Sequence, residues 1–149
     1  MGIQDKLKRL SELQDPDNNI ENGGEKIDRE KTCPLLLRVF CQTGRHHQPD
    51  DFIGNRTPSN ELQIYTWKDA TLKELMNLVK EVNPDARRRG TVFNFAIIYP
   101  NVSRGMYLLK EIGVTCAGEK RADDNVTLQS RRFQIGDFID IAIYSPRKD

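Results

Sequence analysis

Cysteine is scarce and poorly placed for cross-linking: Cys33, Cys41 and Cys116 are odd in number and show no Cys-x-x-Cys spacing. That pattern argues against a disulfide framework and against a structural zinc site. An excess of charge of either sign is also missing. Twenty-three Lys and Arg against twenty-two Asp and Glu leave a net charge of +1, so no global field draws the chain to nucleic acid or anionic membrane. Any such contact must be local. Long apolar runs are absent, and the N-terminus is polar, so neither a transmembrane helix nor a secretory leader is expected and an intracellular, reduced setting fits best. There is no glycine-rich phosphate loop.

What is present is organised around residues 61–82, ELQIYTWKDATLKELMNLVKEV, where the apolar period changes. Leu62, Ile64 and Thr66 alternate with Gln63, Tyr65 and Trp67, the two-residue period of a half-buried strand. Leu72, Leu75, Val79 and Val82 then recur at i, i+3, i+7 and i+10, one stripe of a helix, with Leu78 beside it. Thr71 with Glu74 three residues on has the spacing of a capping box, and Asn83-Pro84 ends the helix because the residue before a proline is driven out of the helical region. The helix therefore has one face to bury.

The flanking chain supplies the cover. Residues 1–31 read as a leader: Ile3, Leu7, Leu10 and Leu13 could line a short helix, but the following stretch is too polar for a core. Residues 32–145 form the domain and 146–149 a tail. LLLRVF, residues 35–40, is a strand with Leu35, Leu37 and Val39 inward and Leu36, Arg38 and Phe40 outward. Residues 41–60 make a loop far longer than a hairpin connection, of the kind that often binds. VFNFAIIYP, residues 92–100, is a strand; Tyr107, Leu109 and Ile112 belong to a shorter one ending at Gly113, with a surface loop over residues 115–127. In the last strand Ile139, Ile141 and Ile143 face inward, while Phe138, Asp140, Ala142 and Tyr144 face outward. Five strands and one crossing helix make an α+β roll: a five-stranded mixed sheet with one main helix on one face.

The strand-to-helix start at Thr71-Leu72, and the passage from Leu128 and Phe133 through Gly136 into an alternating last strand, resemble the ubiquitin-like β-grasp. Longer blocks, KTCPLLLRVFCQTGRHHQPDDF, LQIYTWKDATLKELMNLVKEVNPDARRRGT, FNFAI and LQSRRFQIGDFIDIAI, resemble the Sin-associated polypeptide family over residues 28–144. That resemblance implies a small, non-catalytic subunit of Sin-type histone deacetylase corepressor complexes. It further implies partnership with Acinus or Pinin and the RNA-binding serine-rich protein in complexes linked to splicing and exon junctions. The implied compartment is the nucleus, with the cytoplasm second. No cofactor, no metal and no membrane contact are implied, and any RNA contact is indirect. The chain ends SPRKD, without the Gly-Gly of conjugated modifiers.

Among the residues themselves, His46-His47 with Asp50-Asp51 have the chemistry of a metal or acid–base site, but all four lie in one polar loop with nothing to aim them. They read better as a solvated recognition loop. Arg38 and Asp140, mid-strand on the outer face of neighbouring first and last strands, are expected to pair. The outer face should carry the partner surface: Leu36, Arg38 and Phe40, Tyr65 and Trp67, Phe138, Asp140 and Tyr144, with His46 and His47 from the adjoining loop. An uncovered aromatic patch of that size usually has a use; the competing reading is that the loop folds back over it. Arg87–Arg89 and Arg131-Arg132 offer an alternative, an RNA-binding surface, although a solvated turn with cations near a helix C-terminus is the better account of the first group.

Overall fold

The computed structural model describes residues 26–54 and 56–146; the expected leader helix around Ile3–Leu13 and the end of the tail lie outside them. Five strands, β1 (Leu35–Thr43), β2 (Glu61–Thr66), β3 (Val92–Asn101), β4 (Met106–Cys116) and β5 (Phe138–Tyr144), form one sheet in the order β2-β1-β5-β3-β4. β1 runs parallel to β5, and the other three pairings are antiparallel. Among the described residues a single α-helix, α1 (Leu72–Val82), crosses one face between β2 and β3. First and last strands lie side by side at the centre, as expected of the ubiquitin-like β-grasp, and the α+β class is as the sequence indicates.

Helix α1 starts as its sequence dictates: Thr71 Oγ1 accepts from the Glu74 backbone N–H at 3.1 Å. The reciprocal half of the capping box is replaced. Both Glu74 carboxylate oxygens instead accept from the Arg29 guanidinium, at 3.0 and 3.1 Å, and Asp69 holds the Arg29 Nε at 2.9 Å. Residues just upstream of β1 are thus tied to the helix N-terminus. The buried stripe is Leu72, Leu75, Met76 and Val79. Val82, expected inside, is 61% exposed, while Met76, four residues after Leu72, joins the buried stripe. At the other end Arg87 donates to the Lys80 and Glu81 carbonyls at 2.6 and 2.9 Å, satisfying acceptors that a helix C-terminus leaves open.

The sequence reading shortened β4. Phe95 lies opposite Gly113 while Ala96 lies opposite Glu111, so Ile112 is an extra residue and the strand is bulged. A bulge breaks the two-residue period, which made one long strand look like a short strand plus a loop. Beyond it Thr115 faces α1, its Oγ1 3.1 Å from Met76 Sδ. Asp123 Oδ2 accepts from the Val114 N–H at 2.9 Å, so the segment expected to be a free loop is bound back to the sheet. Gly113 sits where the helix start comes closest: a Cβ there would stand 2.6 Å from Leu72 Cδ1.

The inner core joins Leu37, Val39, Phe93, Phe95, Ile139 and Ile141 to the helix stripe. Leu75→Ala should cost about 2 to 5 kcal/mol by opening a cavity, and Gly113→Ala about 1 to 3 kcal/mol by overpacking against Leu72. Val82→Ala should stay within about 0.5 kcal/mol. Denaturant melts of the three variants check this ranking.

Candidate functional site

The face of the sheet away from α1 is built by alternate residues of every strand. β1 contributes Leu36, Arg38 and Phe40; β5 contributes Phe138, Asp140 and Ala142; β3 contributes Asn94, Ala96 and Ile98. The connection after β1 decides what becomes of them. The Gly44 N–H bonds to the Ile143 carbonyl at 2.8 Å, with Gly44 at φ +85°, a left-handed conformation that suits glycine. The chain then crosses the outer face, and a 3-10 turn at Pro49–Phe52 delivers Phe52 onto it. Phe52 stacks on Phe138 with ring centroids 5.0 Å apart and meets Phe40 edge-on at 5.2 Å. Phe40, Phe52, Ile98 and Phe138 form a second buried cluster, with Tyr107 and Leu109 packed against it.

Asp140, in the central strand and wholly buried, fixes the loop. Its carboxylate meets His46 Nδ1 at 2.8 Å and His47 Nδ1 at 2.5 Å, and accepts from the His47 backbone N–H at 3.0 Å. His46 Nε2 lies 3.2 Å from Asn94 Oδ1. With acceptors at both ring nitrogens, His46 is set to donate from each, which is the imidazolium form. Burial alone would lower its pKa, but the hydrogen bonds to Asp140 and Asn94 and the charges of Asp140 and Glu111 outweigh it, and the net direction is upward.

These contacts revise several expectations. Arg38 and Asp140 do share the outer face, so the strand phases are right, yet they do not pair. Register sets Arg38 beside Phe138 and Phe40 beside Asp140. Arg38 turns to the other neighbour, making a bidentate pair with Glu61 at 2.6 and 2.7 Å. Its guanidinium lies 5.2 Å from the Phe138 ring centroid. His46 and His47 are not in a solvated loop: their side chains are 12% and 13% exposed. Nor do Phe40, Phe138 and Asp140 stand bare in water, because the loop folds over them.

The candidate residues therefore separate. Phe40, His46, His47, Phe138 and Asp140 belong to the closed interior of the outer face. Leu36 and Tyr65 are cross-strand partners left open, Tyr65 at 68% exposure, with Arg38 next along β1. Trp67 is half-buried; its Nε1–H donates to the Thr32 carbonyl at 2.7 Å and the Arg29 guanidinium lies 4.9 Å over its ring. Tyr144 is exposed at the opposite end of the sheet, across from Val92. Sequence reasoning missed Phe52, Glu61, Asn94 and Arg29. Phe52 carried a signal, as the one aromatic residue of the 41–60 loop.

Chemically the arrangement is a fastening. The Asp140 oxygens are occupied by three donors, and the Cys41 thiol is pushed up to about 12 by burial and by the charge of Asp140, which keeps it from acting as a nucleophile. Among the described residues no group of three or more His, Cys, Asp or Glu is arranged to hold a metal ion. Of the arginines in the alternative surface, Arg87 caps α1, and Arg131 Nε donates to the Ile112 carbonyl at 3.0 Å.

Against known proteins, residues 26–143 match a family model described as Sin3 associated polypeptide p18 (SAP18). The chain is 57% identical over 124 residues to the histone deacetylase complex subunit SAP18 of Drosophila melanogaster, covering 83% of each chain. It is 63% identical over 123 residues to that of Homo sapiens, covering 82% of this chain and 80% of the relative. It is 52% identical over 123 residues to that of Arabidopsis thaliana, covering 80% of each. Among solved structures, the C-terminal ubiquitin-like domain of mouse tubulin-specific chaperone e aligns with 85% of this chain and 98% of its own, at a TM-score of 0.40 and 12% identity.

Because the native His46 pKa is raised, its contribution to stability is complete below about pH 6.5, the unperturbed histidine value, and is lost as pH rises through the native value. Relative to His46→Gln, the wild-type melting temperature should therefore fall across that interval. Asp140→Asn, which turns charge-assisted hydrogen bonds into neutral ones, should cost about 3 kcal/mol at pH 6. Melts from pH 5.5 upward test both.

Proposed function

The chain belongs to the Sin3 associated polypeptide p18 (SAP18) family, and from that premise we propose that it is a non-catalytic adaptor subunit of a histone deacetylase corepressor complex. The names of its relatives support the complex; the surface supports the adaptor role. The observation that carries it is the open Leu36–Tyr65 pair on the outer face, beside the Arg38–Glu61 ion pair. The 41–60 loop closes the centre of that face and leaves this end uncovered. An aliphatic and a tyrosine side by side, bordered by a fixed guanidinium, form the type of spot at which binding energy concentrates.

Within this reading the partners are Sin-type corepressor and histone deacetylase subunits, and, in complexes tied to splicing and exon junctions, Acinus or Pinin with the RNA-binding serine-rich protein. The setting is the nucleus, with the cytoplasm second, and RNA is met through these partners. Engagement of Arg87 and Arg131 in backbone contacts leaves fewer of these arginines open to RNA, although Arg88 and Arg89 stay exposed.

Capture of purified Sin-type corepressor and Acinus fragments by the full chain tests the proposal. Leu36→Ala and Tyr65→Ala should each weaken capture by roughly 30-fold, the scale of a 2 kcal/mol hot spot, with the melting temperature held. A single-stranded RNA control should bind weakly and lose binding steeply with salt. Unchanged capture by both well-folded variants would remove this end of the face from the interface.

A further inference from the structure

The family match ends at residue 143, and the chain then continues Tyr144-Ser145-Pro146-Arg147-Lys148. Ser145 is exposed and follows directly on β5. Proline fixes its own φ, supplies no N–H and biases the preceding residue to extended backbone, so the serine is offered on an extended segment, the form in which protein kinase clefts take their substrates. A serine followed by proline, with a basic residue three positions on, is the substrate pattern of proline-directed kinases of the cyclin-dependent class. Thr57-Pro58 makes a comparison within the same chain: it is half-buried and is followed by Ser59 and Asn60, without the basic residue.

The fold also places a receptor. Tyr144 lies opposite Val92 in the antiparallel β3–β5 ladder, so the chain leaving β5 runs toward the turn that precedes β3. Pro146 reaches that turn: a Cβ on Gly90 would stand 3.3 Å from Pro146 Cβ. Arg88 and Arg89 come immediately before Gly90 and are exposed. Among the described residues neither guanidinium has a hydrogen-bond or ion-pair partner, whereas Arg87 is taken up by the helix carbonyls. The backbone beneath them is held, with Thr91 N–H on the Arg88 carbonyl at 3.1 Å and Gly90 N–H on the Ala117 carbonyl at 2.8 Å.

We propose that Ser145 is a phosphorylation site for a proline-directed kinase, and that the Arg88-Arg89 turn receives the phosphate within the same chain. In the transfer, Ser145 Oγ attacks the γ-phosphorus of magnesium-bound ATP, the new O–P bond forms as the β–γ anhydride bond breaks, ADP departs with the electron pair, and the hydroxyl proton passes to the kinase's carboxylate base. The product carries a charge of about −1.5 to −2 at pH 7, next to two cations suited to bidentate contact. Phosphorylation then neutralises the two unpartnered arginines of the turn and fastens the C-terminal segment across the β3–β5 end of the sheet.

The test treats the full chain with a cyclin-dependent kinase and Mg-ATP, maps the site by mass spectrometry, and follows the phosphoserine by 31P NMR titration. One phosphoryl group should enter at Ser145, be lost in Ser145→Ala, be nearly lost in Pro146→Ala, and persist in Thr57→Ala. The second pKa of the phosphoserine, ordinarily about 6, should lie lower by roughly half a unit in the wild type than in the Arg88→Gln/Arg89→Gln variant, the scale of one exposed charge pair. Incorporation that survives Ser145→Ala, or none at all, overturns the site. Equal titration in the two proteins overturns the receptor.

Discussion

The cover on the outer face of the sheet depends on one buried carboxylate, Asp140. Asp140 lies in the central strand with no exposure, and an isolated charge in that position would be strongly unfavourable. It is tolerated because His46 and His47 bring it three donors. Those donors come from a loop, so satisfying the charge and positioning the loop are one event. The same event brings Phe52 onto Phe40 and Phe138, whose burial adds roughly 1.5 to 3 kcal/mol of hydrophobic stabilisation per large side chain. A sheet with one covered face becomes a sheet covered on both, and of β5 only Tyr144 remains exposed.

Closing the centre of the outer face decides where a partner can bind. A bare sheet would offer Phe40, Phe138 and Tyr65 together; with the loop in place Phe40 and Phe138 are covered, while Leu36 and Tyr65 at the β1–β2 end stay open. Arg38 is fixed there by Glu61, whose carboxyl is held below its ordinary range chiefly by the Arg38 hydrogen bonds. A guanidinium already oriented loses less freedom on binding than a mobile one. The adaptor reading thus rests on how the interior charge is satisfied, several residues from the proposed contact.

Much of this was legible in the sequence, for identifiable reasons. The Thr71 cap, the Asn83-Pro84 stop and the inward phases of β1, β2 and β5 follow from local spacing, and local spacing survived folding. What failed was non-local. The bulge at Ile112 broke the alternation that would have revealed all of β4. Met76 joined the buried stripe and Val82, in the last helical turn, stayed exposed. Arg29 took the Glu74 carboxylate that a capping box would have used, from a segment that looked like leader. In the candidate site, the outward facing of Arg38 and Asp140 was readable, but their partners were not: Glu61 depends on the β1–β2 register and the histidines on the path of the loop. Two adjacent histidines near a glycine look solvated until a buried carboxylate is known to lie beneath them.

The central claim is that Asp140 fastens the 44–52 segment to the sheet independently of the helix core. Hydrogen–deuterium exchange, residue by residue, on wild type and Asp140→Asn at pH 6 tests it most directly. The account predicts faster exchange at the His47 amide and through Phe52 in the variant, while the amides of Leu75 to Val79 keep their protection relative to global unfolding. Exchange of the loop amides at the wild-type rate in a folded Asp140→Asn protein would contradict it.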